Sequence, residues 1–234
     1  MFSPVLLFIF IFFLVLSWIV SSRLKSKFKA YSKVPINHGM TGREVAEKML
    51  YQNGLMQVRI NCVQGQLSDH YNPSNKTVNL SPEVYNGRSV ASAAVAAHET
   101  GHAIQHAKGY AFLELRSALV PIQNVSAKVL NFMFIAMFIG AMALPGLLSY
   151  NTALQIIIAC YAIFTLFAFI TLPVEIDASK RALAWLNSSG ITTHETHKKA
   201  KDALNWAAYT YVVAALSALA TLLYYVMLLV GNRD

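Results

Sequence analysis

Four long apolar runs stand out in the pattern of hydrophobic and polar positions along this chain. They cover roughly residues 2–20, 129–148, 154–172 and 209–230. Each is close to the length of about 20 residues that an α-helix needs to cross the hydrocarbon core of a bilayer. The pattern therefore predicts an α-helical integral membrane protein with four transmembrane helices. The first run has no basic residue before it and no small-residue cleavage site after it, so we expect an uncleaved anchor.

The polar stretch between the first two runs carries the signals of a small α+β unit. Thr41 and Glu44 form a capping box at the start of one helix, and Ser89 is a suitable cap for a longer one. Alternating apolar positions predict strands between these helices. The predicted strands lie at residues 58–62, 67–71 and 77–80. After the long helix, residues 110–128 predict an amphipathic helix in which Pro121 starts a new segment or introduces a kink.

The distribution of charge predicts the orientation of the chain in the membrane. Of 19 Lys and Arg residues, 13 lie in residues 23–128, 5 lie in residues 180–201 and one is Arg233. With four spans and a tight turn at Pro145-Gly146, the first two groups share one side, which the positive-inside rule makes cytoplasmic. The net charge of +8 is therefore a topology signal. Basic and aromatic residues do not alternate as they do on nucleic-acid surfaces, so we expect no nucleic-acid partner.

Together these patterns divide the chain into five segments. We expect a transmembrane anchor at 1–22, a cytoplasmic α+β unit at 23–128, a transmembrane hairpin at 129–172, a cytoplasmic helix at 173–208 and a C-terminal transmembrane helix at 209–234.

The segment His98-Glu99-Thr100-Gly101-His102 carries the clearest chemistry, and it lies outside every run of membrane length. Histidines four positions apart on a helix are about 40° apart around the axis and about 6 Å apart along it, so both imidazoles can reach one Zn²⁺. Glu99 points about 100° away from His98, where it can act as a general base toward water. An acid between two histidines in an alanine-rich helix is costly without such a purpose. The alternative is a buried helix with two satisfied histidines.

A catalytic zinc site needs a third protein ligand. Glu175 is the strongest candidate, because it follows Pro173 where the membrane hairpin returns the chain to the side of the two histidines. Asp177 is its nearest competitor. Arg181, four residues later, offers Asp177 an ion pair, which indicates a structural or supporting role for Asp177.

Three further histidines are weaker candidates for the third ligand. His106 lies about 12 Å along the helix axis from His98, too far to share its metal on a continuous helix. His194 and His197 are expected in a polar loop over residues 188–199, exposed to solvent.

Several motifs beyond the histidine segment carry a resemblance to a known family. They are Met40-Thr41-Gly42, Leu67-Ser68-Asp69-His70-Tyr71, Val78-Asn79-Leu80-Ser81, residues 95–105, and Pro173-Val174-Glu175 through Arg181-Ala182. Over nearly its whole length the chain resembles the neutral zinc metallopeptidases of bacterial membranes, the YugP-like proteins. That family is similar to the membrane gluzincins of the HtpX and CAAX-protease group, in which an exposed strand precedes the HExxH helix and a Glu-x-x-x-Asp helix supplies the third ligand. The resemblance implies a zincin-like unit with Glu175 as a ligand, and Ser179 stands where that group has Asp.

The expected function is hydrolysis of peptide bonds at the cytoplasmic surface of a bacterial cell membrane. Zn²⁺ is the expected cofactor, with His98, His102 and Glu175 as ligands and Glu99 as the catalytic base. The expected partners are the lipid bilayer and a protein or peptide substrate, which could pair with the strand near residues 67–71 or 77–80.

The residue that stabilises the oxyanion stays open among His70, Tyr71, His106 and Arg181. Two other classes of function also remain: a four-span transporter and a non-catalytic metal-binding membrane scaffold.

Overall fold

Seven α-helices, one 3₁₀ helix (Asn37–Gly39) and three short strands are the regular elements of the described part of the chain. The computed structural model describes residues 3–65, 67–143 and 149–231, with side chains for all of them except residues 137–143. The helices are α1 (Pro4–Tyr31), α2 (Gly42–Gln52), α3 (Pro82–Tyr85), α4 (Val90–Ala107), α5 (Ala111–Ala143), α6 (Tyr150–Ser188) and α7 (His194–Gly231). The strands are β1 (Arg59–Cys62), β2 (His70–Asn72) and β3 (Thr77–Leu80). The turn expected at Pro145-Gly146 lies outside the described residues.

Four of these helices are long and apolar enough to cross a membrane: α1, α5, α6 and α7. This agrees with the four spans predicted from the apolar runs. The helices extend well beyond those runs, however. α6 has 39 residues and α7 has 38, whereas about 20 suffice for a span. Each of the two therefore continues past its apolar run as a helix.

Proline and polar residues interrupt the long helices less than the sequence suggested. No new helical segment begins at Pro121, because α5 runs through it, and α6 runs through Pro173 in the same way. Each proline removes one backbone donor, while the remaining bonds of the adjoining turns keep the helix intact. The expectation of a polar loop at His194 and His197 is wrong, because both lie in the first turn of α7. There the Thr193 hydroxyl accepts a hydrogen bond from the backbone N–H of Thr196 (3.2 Å).

The three strands form one small sheet in the order β1-β3-β2. β1 runs parallel to β3, and β2 runs antiparallel to it. All three strands lie close to their predicted positions. Because β3 has a strand on each side, residues 77–80 cannot accept an extended substrate as a further strand.

The described residues form two compact units. The first comprises those within 1–17, 115–172 and 211–234, and the second those within 18–114 and 173–210. The core of the second unit consists of apolar side chains from α2, β3, α3, α4, the part of α6 after Pro173, the first part of α7 and the segments that connect them. The predicted capping box is present, with the Thr41 N–H donating to the Glu44 carboxylate (2.6 Å) and the Glu44 N–H donating to the Thr41 hydroxyl (3.2 Å). It fixes the start of α2, which packs on the alanine-rich face of α4.

Candidate metal centre

Helix α4 carries the histidine segment in the second unit. It begins where the Ser89 hydroxyl accepts a hydrogen bond from the backbone N–H of Ser92 (3.2 Å), as the sequence predicted. His98 and His102 lie one turn apart on the same face, with ring centroids 4.8 Å apart. His102 is only 7% exposed.

Glu175 reaches both histidines from α6. Its Oε2 lies 3.2 Å from Nε2 of His98 and 3.5 Å from Nε2 of His102. Ligating atoms of the three residues all lie within 4.8 Å of one another. Among the residues that the structure describes, this is the one group of three or more metal-binding side chains that could hold an ion. The structure thus brings Glu175 to both histidines, whereas Asp177 lies outside this group.

A glycine allows the two helices to approach this closely. A Cβ placed on Gly101 would lie 2.7 Å from the backbone oxygen of Ala178 and 3.2 Å from its Cα. Both are backbone atoms of α6, so they cannot rotate away as a flexible side chain would. Gly101 of α4 therefore packs directly against the backbone of α6 at Ala178. Ala178 lies about one helical turn after Glu175.

Glu99 follows His98 and is also buried, with 8% of its surface exposed. No side chain or backbone group of the described residues donates a hydrogen bond to its carboxylate. Its carboxylate oxygens are not among the fully buried, unpartnered polar atoms of the described residues, so water can reach them. The environment of Glu99 therefore suits a base that acts on a water molecule.

The second nitrogen of each histidine also has a partner. Nδ1 of His98 lies 3.1 Å from the Ser179 hydroxyl, and Nδ1 of His102 lies 2.9 Å from Oε1 of Gln105. These contacts leave Nε2 of both rings facing Glu175. The Ser179 hydroxyl thus contacts the histidine from the position at which the resembling group has Asp. Gln105 is a residue that the sequence did not single out for the site. Gln105 follows His102 by three residues and so lies on the same helix face, and this spacing could have identified it as a partner of the His102 ring.

The charge of Glu175 also acts on the protonation of His102. Burial lowers the pKa of this imidazole, but the hydrogen bond and the negative charge of Glu175 more than offset it. The pKa of His102 is therefore raised above its usual value. A positive charge, whether a proton or a metal ion, is favoured at this point.

The remaining candidates lie outside the cluster. His106 contacts the Tyr71 hydroxyl through Nδ1 (2.8 Å). His70 contacts the Ser68 carbonyl and the side chain of Asn79. Asp177 forms the expected ion pair with Arg181, at 2.5 Å between Oδ2 and Nε.

The donor set fits a zinc ion. Two imidazole nitrogens and one carboxylate oxygen make the His₂Glu set of several zinc hydrolases, which leaves a fourth position open. In a tetrahedral site with bonds of about 2.0 to 2.1 Å, neighbouring donor atoms lie about 3.3 Å apart. The separations of 3.2 and 3.5 Å from Glu175 Oε2 to the two Nε2 atoms match that value.

Comparisons with known proteins point to the same chemistry. A family model described as "Putative neutral zinc metallopeptidase" matches residues 6–230. The chain is also 40% identical over 220 residues to "Putative membrane protease YugP" of Bacillus subtilis (strain 168), a match that covers 94% of each protein. No solved structure matches it, so the zincin-like fold of the α+β unit stays a prediction. The family match spans nearly the whole chain and confirms the resemblance seen in the motifs. The chain therefore belongs to the neutral zinc metallopeptidase family that this model describes.

Proposed function

We propose that this protein is a zinc-dependent metalloendopeptidase that hydrolyses peptide bonds of protein or peptide substrates at the cytoplasmic surface of the cell membrane. One observation carries the proposal. Oε2 of Glu175 lies at zinc-ligand spacing from Nε2 of His98 and Nε2 of His102, and the Glu99 carboxylate lies on the same turn of α4 with no hydrogen-bond donor among the described residues. The family and the relative's name supply the reaction class.

Each residue of the site has a chemical task in this proposal. His98, His102 and Glu175 would hold the ion. A bound Zn²⁺ supplies Lewis acidity, which lowers the pKa of water and polarises a carbonyl group. Glu99 accepts a proton from water while the water oxygen adds to the scissile carbonyl carbon. Glu99 then returns that proton to the leaving nitrogen as the C–N bond breaks, so that one carboxylate acts first as base and then as acid.

The sheet offers a place for an extended substrate. β2 has β3 as its strand neighbour, and its other edge is open to pairing within the described residues. Tyr71 of β2 contacts His106 of α4, so β2 is tied to the helix that carries the histidines. A peptide added along this edge would lie beside that helix, with backbone hydrogen bonds providing affinity.

The Glu99→Gln variant tests the proposal. Glutamine keeps the size of the side chain but cannot accept the proton, so we expect cleavage of labelled casein by the purified full-length protein to fall about 10²- to 10⁴-fold. Zinc content should not change, because Glu99 is not a ligand. Glu195→Gln is the matched control, because Glu195 is an exposed carboxylate on α7 that pairs with Lys199.

Two results would reject the proposal. One is a Glu99→Gln variant that cleaves at the rate of the unmodified protein. The other is unmodified protein that binds zinc and cleaves none of a panel of unfolded and membrane-derived peptides, which would favour a non-catalytic metal-binding scaffold.

A further inference from the structure

Gln105 has no role in the proposed mechanism, yet it is the most completely hydrogen-bonded side chain beside the histidines. It is fully buried, with 0% of its surface exposed. Its Nε2 lies 2.8 Å from the backbone oxygen of Val174 and 2.8 Å from Oδ2 of Asp177. Its Oε1 lies 2.9 Å from Nδ1 of His102. Both ends of the amide are therefore engaged.

The chemistry of these partners fixes which way the amide points. A backbone carbonyl and an ionised carboxylate accept hydrogen bonds and donate none. The amide atom between them must be the NH₂ group, and its two hydrogens satisfy both acceptors. Arg181 keeps Asp177 in place as an acceptor through its own ion pair.

The orientation of the amide in turn fixes the proton on His102. The remaining atom of Gln105 is its carbonyl oxygen, which can only accept. The partner atom, Nδ1 of His102, must therefore carry a hydrogen. A neutral imidazole has one N–H, so Nε2 is left with a free lone pair. The Nε2 atom lies 3.5 Å from Oε2 of Glu175, on the side where the ion would bind.

We infer that Gln105 is a positioning residue for the metal centre: it holds His102 as the Nδ1–H tautomer and aims its Nε2 at the ion. This inference rests on the proposed function for its purpose, because a zinc ligand must present an unprotonated nitrogen. Partners of this kind orient histidine ligands and raise their basicity, and their loss costs about 10- to 100-fold in metal affinity or activity. Asp177 and Arg181 then act on the site through Gln105.

The experiment must distinguish the positioning role of Gln105 from a purely structural role in packing. Gln105 links α4 to α6 through Val174, so removing it could loosen the packing without any effect on the tautomer. Two comparison variants address this. Gln105→Glu keeps an oxygen that accepts from Nδ1 but disturbs the contacts with α6. Thr100→Val alters a side chain that is equally buried in the same helix and that, among the described residues, hydrogen-bonds only to the Ala96 carbonyl (2.8 Å).

The first measurement is Zn²⁺ affinity, with the full-length protein in detergent competing against a chromophoric chelator. Gln105→Met has a similar shape and no strong acceptor, so we expect it to bind Zn²⁺ about 10- to 100-fold more weakly. Gln105→Glu should bind more tightly than Gln105→Met, and Thr100→Val should stay within about twofold of the unmodified protein, since it leaves these hydrogen bonds intact. A Gln105→Met affinity within twofold of the unmodified protein would overturn the inference. So would an equal loss in all three variants.

The second measurement reads the tautomer without any metal. In ¹⁵N-histidine-labelled, metal-free protein at alkaline pH, we expect the hydrogen of the neutral His102 ring to lie on Nδ1. The signal is assigned from its disappearance in His102→Asn. A hydrogen on Nε2 would overturn the inference.

The two proposals can fail separately. If the protein binds no zinc, the proposed function fails, while the nitrogen spectrum still shows whether Gln105 sets the tautomer of His102. If zinc binds and Gln105→Met has no effect, the role of Gln105 fails and the proposed function stands.

Discussion

At the scale of single residues, Ser179 stands to His98 as Gln105 stands to His102: each contacts the Nδ1 atom of its histidine. Its hydroxyl lies 3.1 Å from Nδ1 of His98, at the position where the resembling group carries a carboxylate. A carboxylate accepts a stronger hydrogen bond from an imidazole N–H than a hydroxyl does, because the bond is charge-assisted. The serine should therefore support its histidine more weakly than an aspartate would.

Substitution of Ser179 tests this comparison directly. We expect Ser179→Asp to raise Zn²⁺ affinity severalfold and Ser179→Ala to lower it by up to about tenfold, in line with the effect of partners that orient a ligand. Chelator competition at fixed pH measures both. Ser188→Ala on the same helix is a control, because the partner of the Ser188 hydroxyl in the described part of the chain is the Trp185 carbonyl and not a histidine. Equal affinity in Ser179→Ala and Ser179→Asp would mean that His98 needs no partner at Nδ1.

At the scale of elements, the approach of α4 to α6 depends on Gly101. Replacing a glycine inside a helix by alanine normally stabilises the helix by about 1 kcal/mol. Here the added methyl would lie 2.7 Å from the backbone oxygen of Ala178. We expect Gly101→Ala to lower the free energy of unfolding by about 1 to 3 kcal/mol instead, the usual cost of overpacking. Zinc affinity should fall as well, because Glu175 moves with α6.

Thermal unfolding with and without Zn²⁺ measures both effects of Gly101→Ala. Gly231→Ala is the control, since no atom of the described residues lies within 4 Å of the position that its Cβ would take. A Gly101→Ala variant that is more stable than the unmodified protein would contradict the close packing of the two helices.

Features that depend on neighbouring residues could be predicted from the sequence, whereas features that depend on contacts between distant residues could not. The start of α2 at Thr41, the cap at Ser89 and the histidine spacing were predictable, because each depends on residues within a few positions of one another. The parallel pairing of β1 with β3 depends on contacts that no local pattern encodes. The same holds for the contact of Gln105 with Val174, 69 residues away. The continuity of α6 through Pro173 was missed because a proline predicts a boundary unless tertiary packing holds the helix.

At the scale of the whole molecule, the orientation in the membrane is the main prediction left to test. Cys62 is exposed on β1, in the same compact unit as the metal centre, whereas Cys160 is buried in α6. If the positive-inside rule holds for this chain, Cys62 lies on the cytoplasmic side. A membrane-impermeant maleimide should then label Cys62 of this protein in inverted vesicles and should not label it in intact cells.

Cys62→Ser serves as the control for that labelling and should remove it, because Cys160 is not accessible. Labelling of intact cells would place the unit that carries the metal centre outside the cell and overturn the predicted cytoplasmic site.

The separation of the ligands along the chain has a consequence for biosynthesis. Glu175 follows His98 by 77 residues, with α5 and the apolar first part of α6 between them. While the ribosome is still making those helices, the nascent chain offers two imidazoles and no carboxylate partner, so the metal centre is incomplete. Under the proposed function, hydrolytic capacity can therefore arise only after Glu175 and most of the protein have been synthesised. The order of the ligands along the polypeptide would then keep the nascent chain inactive until its third ligand is present.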